Sequence, residues 1–179
     1  MKKHNNLTVT PLFSSKMSSP LGELTLITDN HTLVGINFPG DRARQDFAAR
    51  ATPIKAHTHH TPPLLCQAKT QLDEYFQGKR KIFDLPLRPQ GTSFQQAVWA
   101  CMQEIPFAET RSYGEIATAL GNPNKARAVG GAANKNLLPI VIPCHRVIGS
   151  TGSLTGFAGG LHMKQFLLDM EKKIPHCIG

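Results

Sequence analysis

Between Ile140 and Val147 the chain reads Ile-Val-Ile-Pro-Cys-His-Arg-Val. Three β-branched residues favour an extended backbone, and the proline behind them removes a ladder donor. The pattern predicts a short buried strand that stops at Pro143 and presents Cys144 at its end. Thiolate is the reactive form of cysteine, and an ordinary thiol with a pKa of about 8.5 is only a few per cent ionised at pH 7. Imidazole and guanidinium neighbours raise that fraction, and His145 and Arg146 come next in the chain. Cys144 is therefore the first candidate nucleophile. Bringing its pKa down to about 5 would take roughly 5 kcal/mol of differential stabilisation. Arg146 cannot serve as a base, because a guanidinium stays charged, and a structural ion pair is an equally good reading of it.

Charge narrows the partner. The 179 residues carry 20 Lys/Arg against 12 Asp/Glu, a formal net charge of +8, which favours a polyanion. Between residues 111 and 146 the excess is denser: Arg111, Lys125, Arg127, Lys135 and Arg146 against Glu115 alone. No apolar run approaches the roughly 20 residues needed to cross a bilayer, so no membrane is expected. The basic start Met1-Lys2-Lys3 leads into no long apolar segment, which argues against a secretory signal. Cys66, Cys101, Cys144 and Cys177 form no C-x-x-C pair, so free thiols in a reducing cytoplasm are expected rather than a zinc ribbon or disulfides.

Residues 1–90 read as an α/β unit with antiparallel strands. Leu24–Thr28 and Thr32–Phe38 flank Asp29-Asn30, a hairpin pattern. A short helix is expected over 41–51, a loop over 55–63, and a helix carrying Leu65, Ala68, Leu72 and Phe76 that ends at Gly78. Residues 82–87 read as a further strand. The Thr58-His59-His60 cluster with His57 lies in a loop without Cys or acidic partners, and no metal site is expected there.

Pro86, Pro89 and Gly91 mark a boundary, and residues 91–179 read as a mostly helical second unit. Thr92 and Gln95 form a capping-box pattern ahead of an apolar stripe, and Ser112 and Glu115 form another. The second of these helices ends at Gly121, and Asn124 is positioned to cap a third helix running to about Asn134. Two short helices joined by Gly-Asn-Pro make a helix-turn-helix candidate. Its second helix, Ala126-Arg127-Ala128-Val129-Gly130-Gly131-Ala132-Ala133, has almost no bulk. Tight internal packing and close approach to a nucleic-acid backbone explain that composition equally well. Leu161, Met163, Phe166, Leu167 and Met170 give a last helix its apolar positions.

Over residues 91–173 these motifs together resemble the O6-alkylguanine-DNA alkyltransferase (methylated-DNA–protein-cysteine methyltransferase) family. The matching pieces are Ser-Tyr-Gly-Glu-Ile at 112–116, Ala-Arg-Ala-Val-Gly-Gly-Ala at 126–132, and Asn136 with Pro139-Ile140. Pro-Cys-His-Arg-Val at 143–147 follows, then Gly159-Gly160, Lys164, Leu167-Leu168 and Glu171. Residues 1–90 resemble the family's N-terminal domain only in length and α/β character. The resemblance implies an α+β protein: an N-terminal supporting domain over 1–90, and a DNA-binding and alkyl-transfer domain over 91–179 with a helix-turn-helix and a short reactive-site strand.

The implied activity is single-use repair by direct reversal. Cys144 would take the alkyl group from O6-alkylguanine, and also from O4-alkylthymine, in double-stranded DNA. His145 would act through a water as the base, and Glu171 would orient it. Tyr113 would donate to N3 of the departing guanine. Arg127 would fill the gap left by the flipped nucleotide, and the small-residue helix would lie in the minor groove. Asn136 would brace the turn leading to Cys144. The backbone of Val147 and the amide of Ala158 would read the base edge, with Phe157 walling the pocket. Phe157 stands where the family often has tyrosine, and Ala158 where some relatives have serine, so two hydroxyls are missing. No cofactor and no metal are implied, and a monomer is expected. Two other classes compete: a DNA-binding protein without chemistry, and a cysteine hydrolase built on Cys144 and His145.

Overall fold

The computed structural model describes residues 10–54 and 62–174. The His57–His60 cluster and Cys177 lie outside the described residues. The first half is a sheet with a helix on either face. β1 (Phe13–Ser19), β2 (Gly22–Thr28) and β3 (Leu33–Asn37) run antiparallel, and β4 (Thr52–Pro53) joins β1 in parallel, giving the order β3-β2-β1-β4. The β2–β3 turn forms as its sequence predicts. Asp29 Oδ1 accepts from the amides of His31 and Thr32, and Asn30 takes φ +78°. Every residue of β3 is buried, as a continuous apolar run requires when both faces are covered. α1 (Arg42–Ala49) lays Phe47 on the side of Ile27 and Val34, and α2 (Pro63–Phe76) packs on the other side. Gly35 lets the Phe47 ring approach: a Cβ there would sit 2.9 Å from it.

The second half contains α3 (Ser93–Gln103), β5 (Arg111–Ser112), α4 (Tyr113–Ala119), α5 (Ala126–Asn134), β6 (Val147–Ile148) and α6 (Leu161–Lys173). Both capping boxes form, with Thr92 and Gln95 exchanging hydrogen bonds at α3, and Ser112 and Glu115 at α4. The expected cap by Asn124 does not form. Asn122 caps instead, accepting from the Asn124 amide at the head of a 3-10 turn over Pro123–Lys125 that leads into α5. One buried apolar cluster runs through both halves, from Leu24 and Leu72 to Val98, Ile142 and Leu167.

Two strands were not expected and two expected strands do not form. β1 and β4 have no counterpart in the sequence reading, because β1 is Phe-Ser-Ser-Lys-Met-Ser-Ser, poor in the residues that favour strands. Residues 82–87 are not a strand: they touch β3 through one bridge, Leu33 with Leu87. Residues 140–142 are not a strand either. They form a tight turn in which the Ile142 amide donates to Leu138 O (2.8 Å) and Ile140 takes φ +73°. A β-branched residue is costly there, by about 1–3 kcal/mol. Cys144 opens a 3-10 turn, Cys144–Arg146, and the short reactive-site strand is β6, which follows Cys144 and pairs with β5.

Candidate active site

The 3-10 turn sends three consecutive side chains inward: Cys144, His145 and Arg146 are 6 %, 0 % and 5 % exposed. Charges that deep must be paired. Glu171, on α6 and fully buried, supplies the pairing. Its Oε1 contacts His145 Nε2 (2.8 Å) and accepts from Arg146 Nη2 (3.0 Å) and the Tyr75 hydroxyl (2.6 Å). Its Oε2 accepts from Arg146 Nε (3.0 Å) and the Ala108 amide (3.0 Å). Burial works against the carboxylate, but the hydrogen bond from His145 and the Arg146 fork hold its pKa well below the usual range. Arg146 is thus an ion-pair residue, and its Nη1 is anchored on Ile105 O (2.7 Å).

Burial pushes the His145 pKa down, with Glu171 pulling the other way, so the ring is neutral at pH 7. A neutral imidazole donating from Nε2 to Glu171 leaves Nδ1 as the basic nitrogen. Nδ1 is buried and bonds to no described residue. The Cys144 pKa is raised, not lowered: burial outweighs the hydrogen bond from Asn136 and the charges of Arg44 and Lys164. The expected assistance from Arg146 fails because its guanidinium is committed to Glu171.

Asn136 is buried and ties the reactive turn to the end of α5. Its Nδ2 donates to Ile142 O (2.9 Å) and its Oδ1 accepts from the Leu138 amide (2.9 Å). Arg44 of α1 reaches the same place, donating from Nη2 to Asn134 O (2.8 Å) and Asn136 O (2.9 Å) while its Nη1 pairs with Asp41 (2.5 Å). Lys164, fully buried on α6, donates to Val147 O (2.5 Å) and Thr155 O (2.7 Å), and burial brings its pKa down to about 8. Tyr113 at the start of α4 donates to Thr155 O (2.9 Å), and burial raises its pKa.

Tyr113, Arg127, Gly130, Gly131, Ser150 and Gly156 are among the residues lining an open cavity of about 870 Å³. Cys144 does not line it; Lys164, whose Nζ lies 5.8 Å from the Tyr113 ring centroid and donates to Val147 O, stands between this cavity and the reactive turn. Phe157 is half-buried against Phe38, with ring centroids 5.4 Å apart, and Ala158 follows it at the foot of the same loop. The two readings of the small-residue helix now separate. The inner face of α5 is Val129, Ala132 and Ala133, and Trp99 Nε1 donates to Ala132 O (2.9 Å). Its outer face is Arg127, Ala128, Gly131 and Asn134, all exposed. A Cβ on Gly131 would meet nothing within 4 Å, and one on Gly130 would only touch the Tyr113 ring at 3.6 Å. Internal packing therefore does not require either glycine.

Of the residues the sequence singled out, His145 meets Glu171, Asn136 holds the turn leading to Cys144, and Tyr113 and Arg127 line one cavity that does not include Cys144. Sequence reasoning missed Tyr75, because the α2 stripe was read through Phe76, whereas Tyr75 is the buried one. It missed Arg44, for which only the Asp41–Arg44 spacing gave a signal. Of the apolar positions it gave α6, Met163 and Leu167 are buried, whereas Leu161 and Phe166 are 48 % and 39 % exposed. The buried face is Met163, Lys164, Leu167, Leu168 and Glu171, an apolar helical stripe carrying two opposite charges. Among the described residues no cluster of three or more His, Cys, Asp or Glu could hold a metal, and no helix is long and apolar enough to cross a membrane.

Known proteins resemble this chain along most of its length. Residues 93–173 match the 6-O-methylguanine DNA methyltransferase DNA-binding domain, and residues 12–89 its ribonuclease-like domain. The methylated-DNA–protein-cysteine methyltransferase of Methanosarcina acetivorans is 41 % identical over 160 residues, 89 % of this chain and 98 % of that one. The crystal structure of the Mycobacterium tuberculosis O6-methylguanine methyltransferase superposes with a TM-score of 0.82 at 39 % identity, covering 93 % of this chain and 96 % of that one. A structure of the M. tuberculosis protein in complex with DNA gives 0.81 at 40 % identity, covering 92 % and 96 %. The matched DNA-binding domain contains the buried Cys144 and the His145–Glu171 pair, and the class is that of DNA-binding methyltransferases. The chain belongs to the methylated-DNA–protein-cysteine methyltransferase family.

Proposed function

We propose that this protein repairs alkylated DNA by direct reversal, moving the alkyl group from O6-alkylguanine in duplex DNA onto Cys144. The observation that carries the assignment is buried Cys144 followed directly by His145, whose Nε2 contacts Glu171 Oε1 at 2.8 Å, in a chain that also exposes a small-residue helix. His145 Nδ1 takes the thiol proton through a water, and Glu171 holds the tautomer that makes Nδ1 the base. The sulfur attacks the alkyl carbon, the carbon–oxygen bond breaks, and its electron pair stays with the guanine. Tyr113 turns its hydroxyl from Thr155 O to N3 of the guanine and donates as charge develops. The product is S-alkylcysteine, a poor leaving group, so each molecule acts once.

Arg127, exposed on the outer face of α5, enters the stack where the base leaves, and Ala128 and Gly131 let that face lie against the minor groove. Asn136 fixes the turn below Cys144. The Val147 backbone and the Ala158 amide face the base edge, and Phe157 stiffens the wall. The same pocket admits O4-alkylthymine. Residues 1–90 support the site, residues 91–179 bind DNA and accept the alkyl group, the protein acts as a monomer, and a reducing cytoplasm keeps Cys144 free. A duplex carrying labelled O6-methylguanine tests this. Label is expected on Cys144 up to one equivalent. Continuing turnover, or full transfer by Cys144→Ala, would overturn it.

A further inference from the structure

The N-terminal half delivers one side chain into the proton relay. Tyr75 sits on α2, is fully buried, and donates its hydroxyl to Glu171 Oε1 at 2.6 Å, a contact spanning 96 residues of sequence. The same oxygen meets His145 Nε2 at 2.8 Å and Arg146 Nη2 at 3.0 Å, and the Tyr75 hydroxyl lies 3.5 Å from His145 Nε2. The ring is held by Phe76 and Phe83 (5.4 Å each) and Phe107 (6.2 Å). Aromatic packing alone would accept phenylalanine. The hydroxyl is the one polar atom that α2 directs at the site.

We propose that Tyr75 is a positioning residue of the alkyl-transfer reaction, setting the basicity of His145 by competing with it for Oε1 of Glu171. This role rests on the reading in which His145 takes the thiol proton. Charge on a carboxylate oxygen is shared among its donors. While Tyr75 holds part of it, less is left to stabilise a protonated His145, and the imidazole stays neutral to lower pH. The other groups facing His145 and Glu171 are Arg146 on the same turn, Lys164 on α6 and the Ala108 amide. None of these is altered when the hydroxyl is removed. Tyr75 itself remains protonated, since burial and the neighbouring carboxylate push its pKa well up.

The test is Tyr75→Phe in the full chain, with two readouts. One is the pH profile of the single-turnover rate with O6-methylguanine duplex. The other is the titration of the His145 ring by NMR in the free protein, assigned by its loss in His145→Asn. Without the hydroxyl, Glu171 favours imidazolium, so the His145 pKa and the acid limb of the rate should both move up by about one pH unit. If both stay at the wild-type position, Tyr75 is only a packing residue and the inference fails, whatever happens to the melting temperature. If no alkyl transfer occurs even in the wild type, the transfer reading fails, while the NMR titration still decides the coupling between Tyr75 and His145.

Discussion

Glu171→Gln isolates the central charge of the site. Glu171 accepts from five donors, three on Oε1 and two on Oε2. A glutamine keeps one acceptor oxygen, so whichever way it is turned its amide nitrogen faces at least two donors. Arg146 also loses its counter-charge while remaining 5 % exposed. Removing one partner of a buried pair costs about 3–5 kcal/mol. That is a large share of the roughly 5–15 kcal/mol that keeps a domain folded. Urea unfolding at pH 7 should therefore show a midpoint lower by about 2 M, taking an m-value near 2 kcal/mol/M.

The pH dependence has a definite sign. The folded-state pKa of Glu171 is depressed, so its contribution is fully present above the unfolded value of about 4.3 and is lost as pH falls through the folded one. The gap between wild type and Glu171→Gln should therefore be widest near neutrality and narrow below about pH 4. A loss under about 1 kcal/mol at pH 7, or a gap that stays constant in acid, would refute the account of Glu171 as a carboxylate stabilised by its donors.

Other perturbations read other parts of the site. Gly131→Ala should raise stability by up to about 1 kcal/mol, because its Cβ meets nothing, whereas Gly131→Glu should stay folded but lose affinity for duplex DNA; unchanged binding in a filter or anisotropy assay would remove α5 from the DNA interface. Cys144 should be alkylated by iodoacetamide more slowly than exposed Cys66 at pH 7, with a half-rate pH above the ordinary thiol value; a fast reaction near pH 6 would contradict the raised pKa. Asn136→Ala removes bonds to Ile142 O and the Leu138 amide and should cost about 2–4 kcal/mol, with the Cys144 pKa moving further up.

What was legible in the sequence was local. Capping boxes at Thr92 and Ser112 depend on residues three apart, and both formed. The β2–β3 turn depends on Asp29 and its next three residues. Apart from the cap, which Asn122 makes in place of Asn124, and β1, whose composition disguises it, the failures were long-range. Ile140–Ile142 has the composition of a strand, but no neighbouring strand pairs with it, and the Asn136 side chain closes it into a turn instead. On α6 Met163 and Leu167 are buried but Leu161 and Phe166 are not, because Lys164 and Glu171 take places on the buried face through partners that sequence periodicity cannot register. Tyr75 was hidden by the choice of Phe76 for the α2 stripe, and its hydroxyl gave no local signal because its partner lies 96 residues away.

The correction to Cys144 bears on why a consumable site is built this way. A thiolate standing free at pH 7 would react with any small electrophile that reached it, and a molecule that acts once would be lost to that reaction. Here burial keeps the proton on sulfur, the imidazole is neutral and able to receive it, and the compensating charge of Arg146 is locked onto Glu171 rather than offered to the thiol. Proton transfer from sulfur to imidazole creates a thiolate–imidazolium pair, a step that burial opposes and Glu171 assists. The free protein therefore favours the unreactive form. A guanine lodged against Tyr113 would place the alkyl carbon at the sulfur, so a thiolate formed there is consumed by the transfer. The raised pKa of Cys144 and the lowered pKa of Glu171 are two consequences of the same buried charge arrangement.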